Sequence, residues 1–232
     1  MTTQPPVFSS NRLKLPFDWN HCFVWSGDGT KCLGACALMA VRYWGVQLTD
    51  EECRDVLSRI NVPAFRGADL GQVLEVIKEV IGETSDVSNE SGLQMKVDDF
   101  VAKGALTTAP SVKAKIPLRQ ELFHAKGISS LREAFKLAKP IPQIVIYDDF
   151  MAEYNEEGSS GHATIIEELN LETKFVYLID PKAQKRKTAS YLSFDDFERG
   201  WKILEQTTIM IYPATFYRTN RNVTTALGID QK

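Results

Sequence analysis

From Cys32 to Trp44 the chain reads Cys-Leu-Gly-Ala-Cys-Ala-Leu-Met-Ala-Val-Arg-Tyr-Trp, and Gly45 follows. Small and apolar residues dominate this run on every side, with Arg42 its one charge. A helix of that kind cannot rest on a surface; other elements must cover it all round. The closing Gly fits a helix C-cap, where the backbone turns left-handed. Ahead of the run lies a polar, flexible stretch, Ser26-Gly-Asp-Gly-Thr30. The sequence therefore predicts a buried helix that starts near Cys32.

The 232 residues suffice for one sizeable core or one core split into two lobes. Thr49-Asp-Glu-Glu52 has capping-box spacing and opens a second helix to about Ile60. Leu70, Val73, Leu74, Ile77 and Ile81 share one helical face, and a weaker helix is expected from about Val97 to Lys103. Ser130 and Glu133 form another capping-box pair, followed by Leu131, Ala134, Phe135 and Ala138 on one face until Pro140 ends the helix. The pattern then changes. Segments 143–147, 162–166, 175–179, 189–192 and 208–212 are short, β-branched and aromatic, and read as strands. Ser193 begins a last short helix through Phe197 to Trp201. Residues 104–128 and 148–161 read as loops or insertions. The expected class is α+β: a helical lobe over about 21–140 and a strand-rich lobe over about 141–218 within one domain. An irregular segment, 1–20, precedes it and a polar tail, 219–232, follows.

A formal net charge of −3 argues against nucleic acid or an anionic membrane surface as partner. The basic run Lys182-Ala-Gln-Lys-Arg-Lys187 reads as a solvated turn between two strands. Met-Thr-Thr-Gln-Pro-Pro lacks the basic-then-apolar pattern of a signal peptide, and no apolar run approaches the roughly 18–20 residues that span a bilayer. The four cysteines, Cys22, Cys32, Cys36 and Cys53, all lie in the first quarter of a large chain. A reduced, cytoplasmic state is expected for them.

A thiol is a useful nucleophile near neutral pH only when its thiolate is favoured. The positive end of a helix dipole and a nearby imidazolium both favour it. Cys32 stands where the flexible segment meets the first turn of the buried helix, so dipole and access coincide there. Cys36 and Cys53 read as small apolar core residues, and Cys22 has no evident role. Of three histidines, His21 lies in an irregular segment and His124 in the insertion. His162 opens a strand directly after Gly158-Ser-Ser-Gly161 and is the candidate base. Asp180 closes the next strand. If those two strands pair antiparallel about a turn near 170–174, Asp180 reaches the sheet end that carries His162. A carboxylate there fixes the tautomer and orientation of the ring. Cys32, Cys36, His21 and Cys22 could also be read as metal ligands, but structural zinc sites use closer-spaced cysteines with a second pair downstream, and none follows. No metal and no cofactor is expected.

Lys31-Cys-Leu-Gly-Ala-Cys-Ala-Leu-Met39 with Arg42-Tyr-Trp-Gly45 resembles the nucleophile helix of the peptidase C39-like branch of papain-like proteins. Gly161-His-Ala-Thr-Ile-Ile166 resembles its histidine strand. Tyr177-Leu-Ile-Asp-Pro181, then Ser193-Phe-Asp-Asp-Phe197 and Trp201, resembles its Asp-Pro strand and trailing helix. Leu131 to Val145 resembles the segment that leads into the histidine strand. The resemblance covers roughly residues 22–45 and 129–212. It implies a papain-like fold, a Cys32–His162–Asp180 triad, a thioester acyl-enzyme, and a peptide or protein substrate cleaved at a peptide or isopeptide bond. Two positions depart from the family. Leu33 stands where Gly usually follows the nucleophile, with Gly34 one later. Ser26 stands where the family has a Gln whose amide helps to bind the oxyanion, so Ser26 and the backbone N–H of Cys32 are the expected donors. Acyltransferases, transglutaminase-like enzymes and deamidases use the same triad logic, and a peptide-binding module with weak catalysis fits the Ser26 departure.

Overall fold

A computed structural model describes residues 11–27, 29–60, 70–81, 118–137, 139–156, 161–183 and 190–213. In chain order its elements are β1 (Arg12–Lys14), α1 (Trp19–Cys22), α2 (Cys32–Tyr43), α3 (Asp50–Arg59), α4 (Leu70–Ile81), β2 (Leu118–His124) and α5 (Ile128–Phe135), followed by β3 (Gln143–Asp148), α6 (Asp149–Tyr154), β4 (Gly161–Asn170), β5 (Phe175–Ile179), β6 (Ser190–Ser193), α7 (Phe194–Ile203) and β7 (Thr207–Pro213). The class is α+β. The helix expected at 97–103 and the polar tail lie outside the described residues.

The apolar run forms α2, and all 12 of its residues are buried. It packs against α1, α3 and α4 on one side and against β3, β4 and β7 on the other. Gly34 explains how α3 comes so near: a Cβ there would stand 2.4 Å from Ile60 Cδ1 and 3.0 Å from Leu57 Cδ2. The one charge in the run is not left unpaired. The Arg42 guanidinium donates to Phe23 O (3.1 Å), Leu48 O (2.6 Å) and Asp50 Oδ1 (2.9 Å), which meets the requirement that a buried cation find partners. Trp44 Nε1 donates to Ile211 O at 2.6 Å and ties the end of the helix to β7.

Seven strands form one antiparallel sheet in the order β2-β7-β3-β4-β5-β6, with β1 added to β4. The pairings Asp148↔Gly161 and Tyr147↔His162 bring the end of β3 beside the start of β4. The pairing Ile165↔Ile179 brings the end of β5 to the same edge. Three chain segments thus converge at one end of three neighbouring strands. α7 packs across β3, β5, β6 and α6, where Gly200 lets the helix lie close: a Cβ would meet Asp148 O at 2.3 Å.

The expected capping box of α3 forms. Thr49 Oγ1 accepts from Glu52 N at 3.1 Å, and Glu52 Oε2 accepts from Thr49 N at 2.6 Å. Ser193 likewise caps α7, accepting from Asp196 N at 3.1 Å. The Ser130–Glu133 pair does not cap α5. That helix starts earlier, at Ile128, after Gly127 with φ +85°, and Ser130 Oγ instead accepts from Lys126 N at 2.9 Å. Three segments read as irregular carry elements. β1 lies within 1–20 and α1 starts there and runs on to Cys22, α6 lies within 148–161, and β2 lies within 104–128. Asp18 and Asp148 cap the two short helices, and Arg12 fastens β1 through two bonds to Glu168, of 2.7 and 2.9 Å. Among the described residues no helix is long and apolar enough to cross a membrane.

Candidate active site

Cys32 is the first residue of α2. The residue before it, Lys31, makes no side-chain cap. The thiol is 8% exposed. Its Sγ accepts a hydrogen bond from Ala163 N at 3.4 Å. One turn on, Cys36 Sγ donates to Ala163 O at 3.4 Å. Two cysteines of one helix therefore clasp the N–H and the C=O of a single β4 residue, the one after His162.

His162 is buried at the start of β4. Its Nε2 and Asp180 Oδ1 are 3.0 Å apart. Its ring stands edge-on to Tyr147, with centroids 5.9 Å apart. Nδ1 is buried and has no aligned hydrogen bond among the described residues, which leaves this nitrogen for the thiol. Catalytic hydrogen bonds are often long or poorly aligned in a substrate-free site. Burial opposes charge on the imidazole, but the bond to Asp180 and the interaction with Cys32 outweigh it and raise its pKa to about 9. Burial likewise opposes the Cys32 thiolate; interaction with His162 and the Ala163 N–H outweigh it, with help from the Lys182 charge, and hold the thiol below its ordinary value. Asp180 is held below the usual carboxylate range despite burial, by His162 and by the Lys182 N–H, which donates to Oδ1 at 2.8 Å. The Cys32 thiol is shifted down and the His162 imidazole up, the directions that favour a thiolate–imidazolium pair.

Ser26, the expected oxyanion donor, is buried and bonded to the turn that follows Asp180. Its hydroxyl and its N–H both donate to Pro181 O, each at 3.0 Å. A hydroxyl has one proton, and this one is committed to the turn that follows Asp180. The other candidate residues stand apart. His21 pairs with Asp18 on the surface and His124 meets Glu205 O. The thiols of Cys22, Cys36 and Cys53 are all pushed up by burial, Cys53 to about 11. Among the described residues no three potential metal ligands converge. No sequence pattern points to Ala163, which meets both sulfurs through its backbone, or to Tyr147. Lys182 was legible only as part of a basic run.

No protein-family model matches the sequence, and no curated protein matches it. Solved structures do. A structure described as a C39-like peptidase from Bacillus anthracis superposes with a TM-score of 0.53 at 13% identity, covering 86% of this chain and 96% of that one. The chain has a C39-like, papain-like peptidase fold. The peptidase domain of Streptococcus ComA, a bifunctional ABC transporter, gives 0.49 at 11% identity over 83% of this chain and 98% of that one. A double-glycine motif protease from an AMS/PCAT transporter, solved with a leader peptide, gives 0.43 at 14% identity over 88% of this chain and 96% of that one. At these identities the likeness concerns the C39-like fold and not the activity.

Proposed function

We propose that this C39-like chain is a cysteine-nucleophile hydrolase of peptide or isopeptide bonds. The observation that carries the reading is the contact series Cys32–His162–Asp180 at the uncapped start of α2. In it Cys32 is the nucleophile, His162 the base and later the acid, and Asp180 the residue that orients the ring. The Asp180 carboxylate accepts from Nε2–H and so presents Nδ1 to the thiol. Proton transfer from Sγ to Nδ1 gives the ion pair. The thiolate attacks the acyl carbon, and the imidazolium returns its proton to the leaving amine. Water, deprotonated by the now neutral His162, hydrolyses the thioester and restores the thiol. With the Ser26 proton committed to Pro181, backbone N–H groups at the first turn of α2, that of Cys32 among them, are the oxyanion donors in this reading.

The commitment of Ser26 also favours a second reading, a peptide-binding module with weak catalysis. Loss of one oxyanion donor lowers rate by roughly 10²–10³ in enzymes that depend on it. Peptide-library digestion by wild type and Cys32→Ala separates the two. Cleavage that Cys32→Ala abolishes, together with a trapped acyl adduct on Cys32, supports the hydrolase. Binding retained by both proteins with no cleavage by either supports the module. Transfer of the acyl group to an added amine in preference to water would move the reading to an acyltransferase or transglutaminase-like enzyme, and release of ammonia from a glutamine side chain would move it to a deamidase. The four cysteines stand as free thiols, which supports a reducing, cytoplasmic setting.

A further inference from the structure

Lys182 touches three of the segments that build the site. Its backbone N–H donates to Asp180 Oδ1 at 2.8 Å, the oxygen that also meets His162. Its stem lies flat on Gly29, in the loop that feeds the nucleophile helix: a Cβ on Gly29 would stand 3.0 Å from both Lys182 Cγ and Cε. Its ammonium pairs with Asp149 Oδ2 at 3.1 Å. Asp149 begins α6, directly after β3, and Lys182 follows β5. β4 lies between those two strands and starts with Gly161 and His162. The ion pair therefore spans from one neighbour of β4 to the other, across the sheet end at which His162 sits. Neighbouring strands lie about 4.8 Å apart, so the gap to be crossed is roughly 10 Å, which suits a lysine side chain and not a shorter one.

We propose that Lys182 is a positioning residue, a strap that holds the nucleophile loop and the Asp180 turn in register by anchoring on Asp149 across the His162 strand. The proposal rests on the hydrolase reading of Cys32, His162 and Asp180, whose thiol reactivity it modulates. Lys182 reaches the reacting atoms through Asp180 and the Gly29 loop. Gly29 has φ +84°, a left-handed backbone that favours Gly, and a side chain there would displace the stem. One residue of the basic run is thus bound to the site's edge and is not merely solvated.

The test is the rate of Cys32 alkylation by iodoacetamide near neutral pH, followed by peptide mass spectrometry, in Lys182→Met, Lys182→Arg and Asp149→Asn. Lys182→Met keeps the stem on Gly29 and loses the anchor. Asp149→Asn keeps the lysine charge and loses the anchor. The strap predicts that both slow alkylation by about two- to fivefold, the range of a partly exposed ion pair, while Lys182→Arg stays within about twofold of wild type. A pure charge effect predicts a different pattern. Removing the negative charge of Asp149 would then leave the thiolate as reactive or more so, and Asp149→Asn at or above the wild-type rate overturns the strap. Equal rates in all three variants overturn it too. His162→Ala is run beside them: if it also alkylates at the wild-type rate, the hydrolase reading has failed, whereas slow His162→Ala with unaffected strap variants removes the strap alone.

Discussion

The first and second turns of α2 each present a cysteine to the same residue of β4, yet their chemistry is opposite. Cys32 Sγ meets the Ala163 N–H and Cys36 Sγ the Ala163 C=O. Burial disfavours the thiolate at both. At Cys32 the imidazole, the Ala163 N–H and the Lys182 charge reverse that effect and lower the pKa. At Cys36 nothing reverses it, and the charges of Cys32 and Asp180 add to it, so the thiol is raised well above its ordinary value. The contact to a C=O also asks Cys36 to remain a donor, while the contact to an N–H asks Cys32 to be an acceptor. In the proposed reading, four residues along one helix thus separate a nucleophile from a piece of core, and the difference lies in what each sulfur faces, not in the residue type.

His162→Ala should break the asymmetry most strongly. Peptide turnover is expected to fall by about 10²–10⁴, the usual loss for a general base. Cys32 labelling should fall toward that of an ordinary thiol, and Cys36 should stay inert; steady-state cleavage and per-cysteine labelling measure both. Gly34→Ala should disturb the two turns together, because its Cβ meets buried Ile60 and Leu57. A loss of about 1–3 kcal/mol in unfolding free energy is expected from overpacking, read by denaturant titration. Asp180→Asn should act at a smaller scale in thiol reactivity, since it removes the charge but not the shape of the partner to His162. An increase of about one unit in the pH midpoint of Cys32 labelling, equivalent to about tenfold in rate below that midpoint, is expected. Cys36→Ala should be mildest: a stability loss under about 1.5 kcal/mol for a small core change, with the labelling rate of Cys32 within about twofold of wild type.

How far the chain could be read depended on which physical signal each element carries. The buried helix was legible because residues apolar on all sides leave one outcome. The pairing of β4 with β5 was legible because the turn near 170–174 fixes which ends meet, and the register brings Asp180 to 3.0 Å from His162 as a consequence. β2 was not legible. Its Leu118-Arg-Gln-Glu-Leu-Phe-His lacks strand alternation because Gln120 is buried in the sheet, 1% exposed. The sequence pattern places the start of α5 three residues late, because Ser130 and Glu133 mimic a capping box while Gly127 in fact turns the chain into the helix. Ser26 was assigned by its position ahead of the nucleophile. Its hydroxyl donates to the Pro181 carbonyl 155 residues away, and no local pattern reports such a partner. Lys182 was missed for the same reason: within a basic run it has no distinguishing mark until Asp149 and Gly29 are placed around it.

The pH behaviour of the pair follows from the direction of each shift. The Cys32 pKa lies below its ordinary value, so its thiolate forms as pH rises through a value under 9 and is lost on acidification below it. The His162 pKa is raised to about 9, so its proton is held below that pH and lost above it. The ion pair occupies the window between, and the two groups titrate as a unit. Turnover, which needs the imidazolium to protonate the leaving amine, should decline above about pH 9.

The most direct measurement is iodoacetamide labelling of all four cysteines in the native protein across pH, resolved by peptide mass spectrometry. Cys32 should label selectively, with a midpoint below that of an ordinary thiol, while Cys22, Cys36 and Cys53 stay unlabelled until the chain unfolds. Uniform labelling of the four, or a Cys32 that stays inert while another cysteine reacts, would contradict the placement of the nucleophile at the first turn of α2.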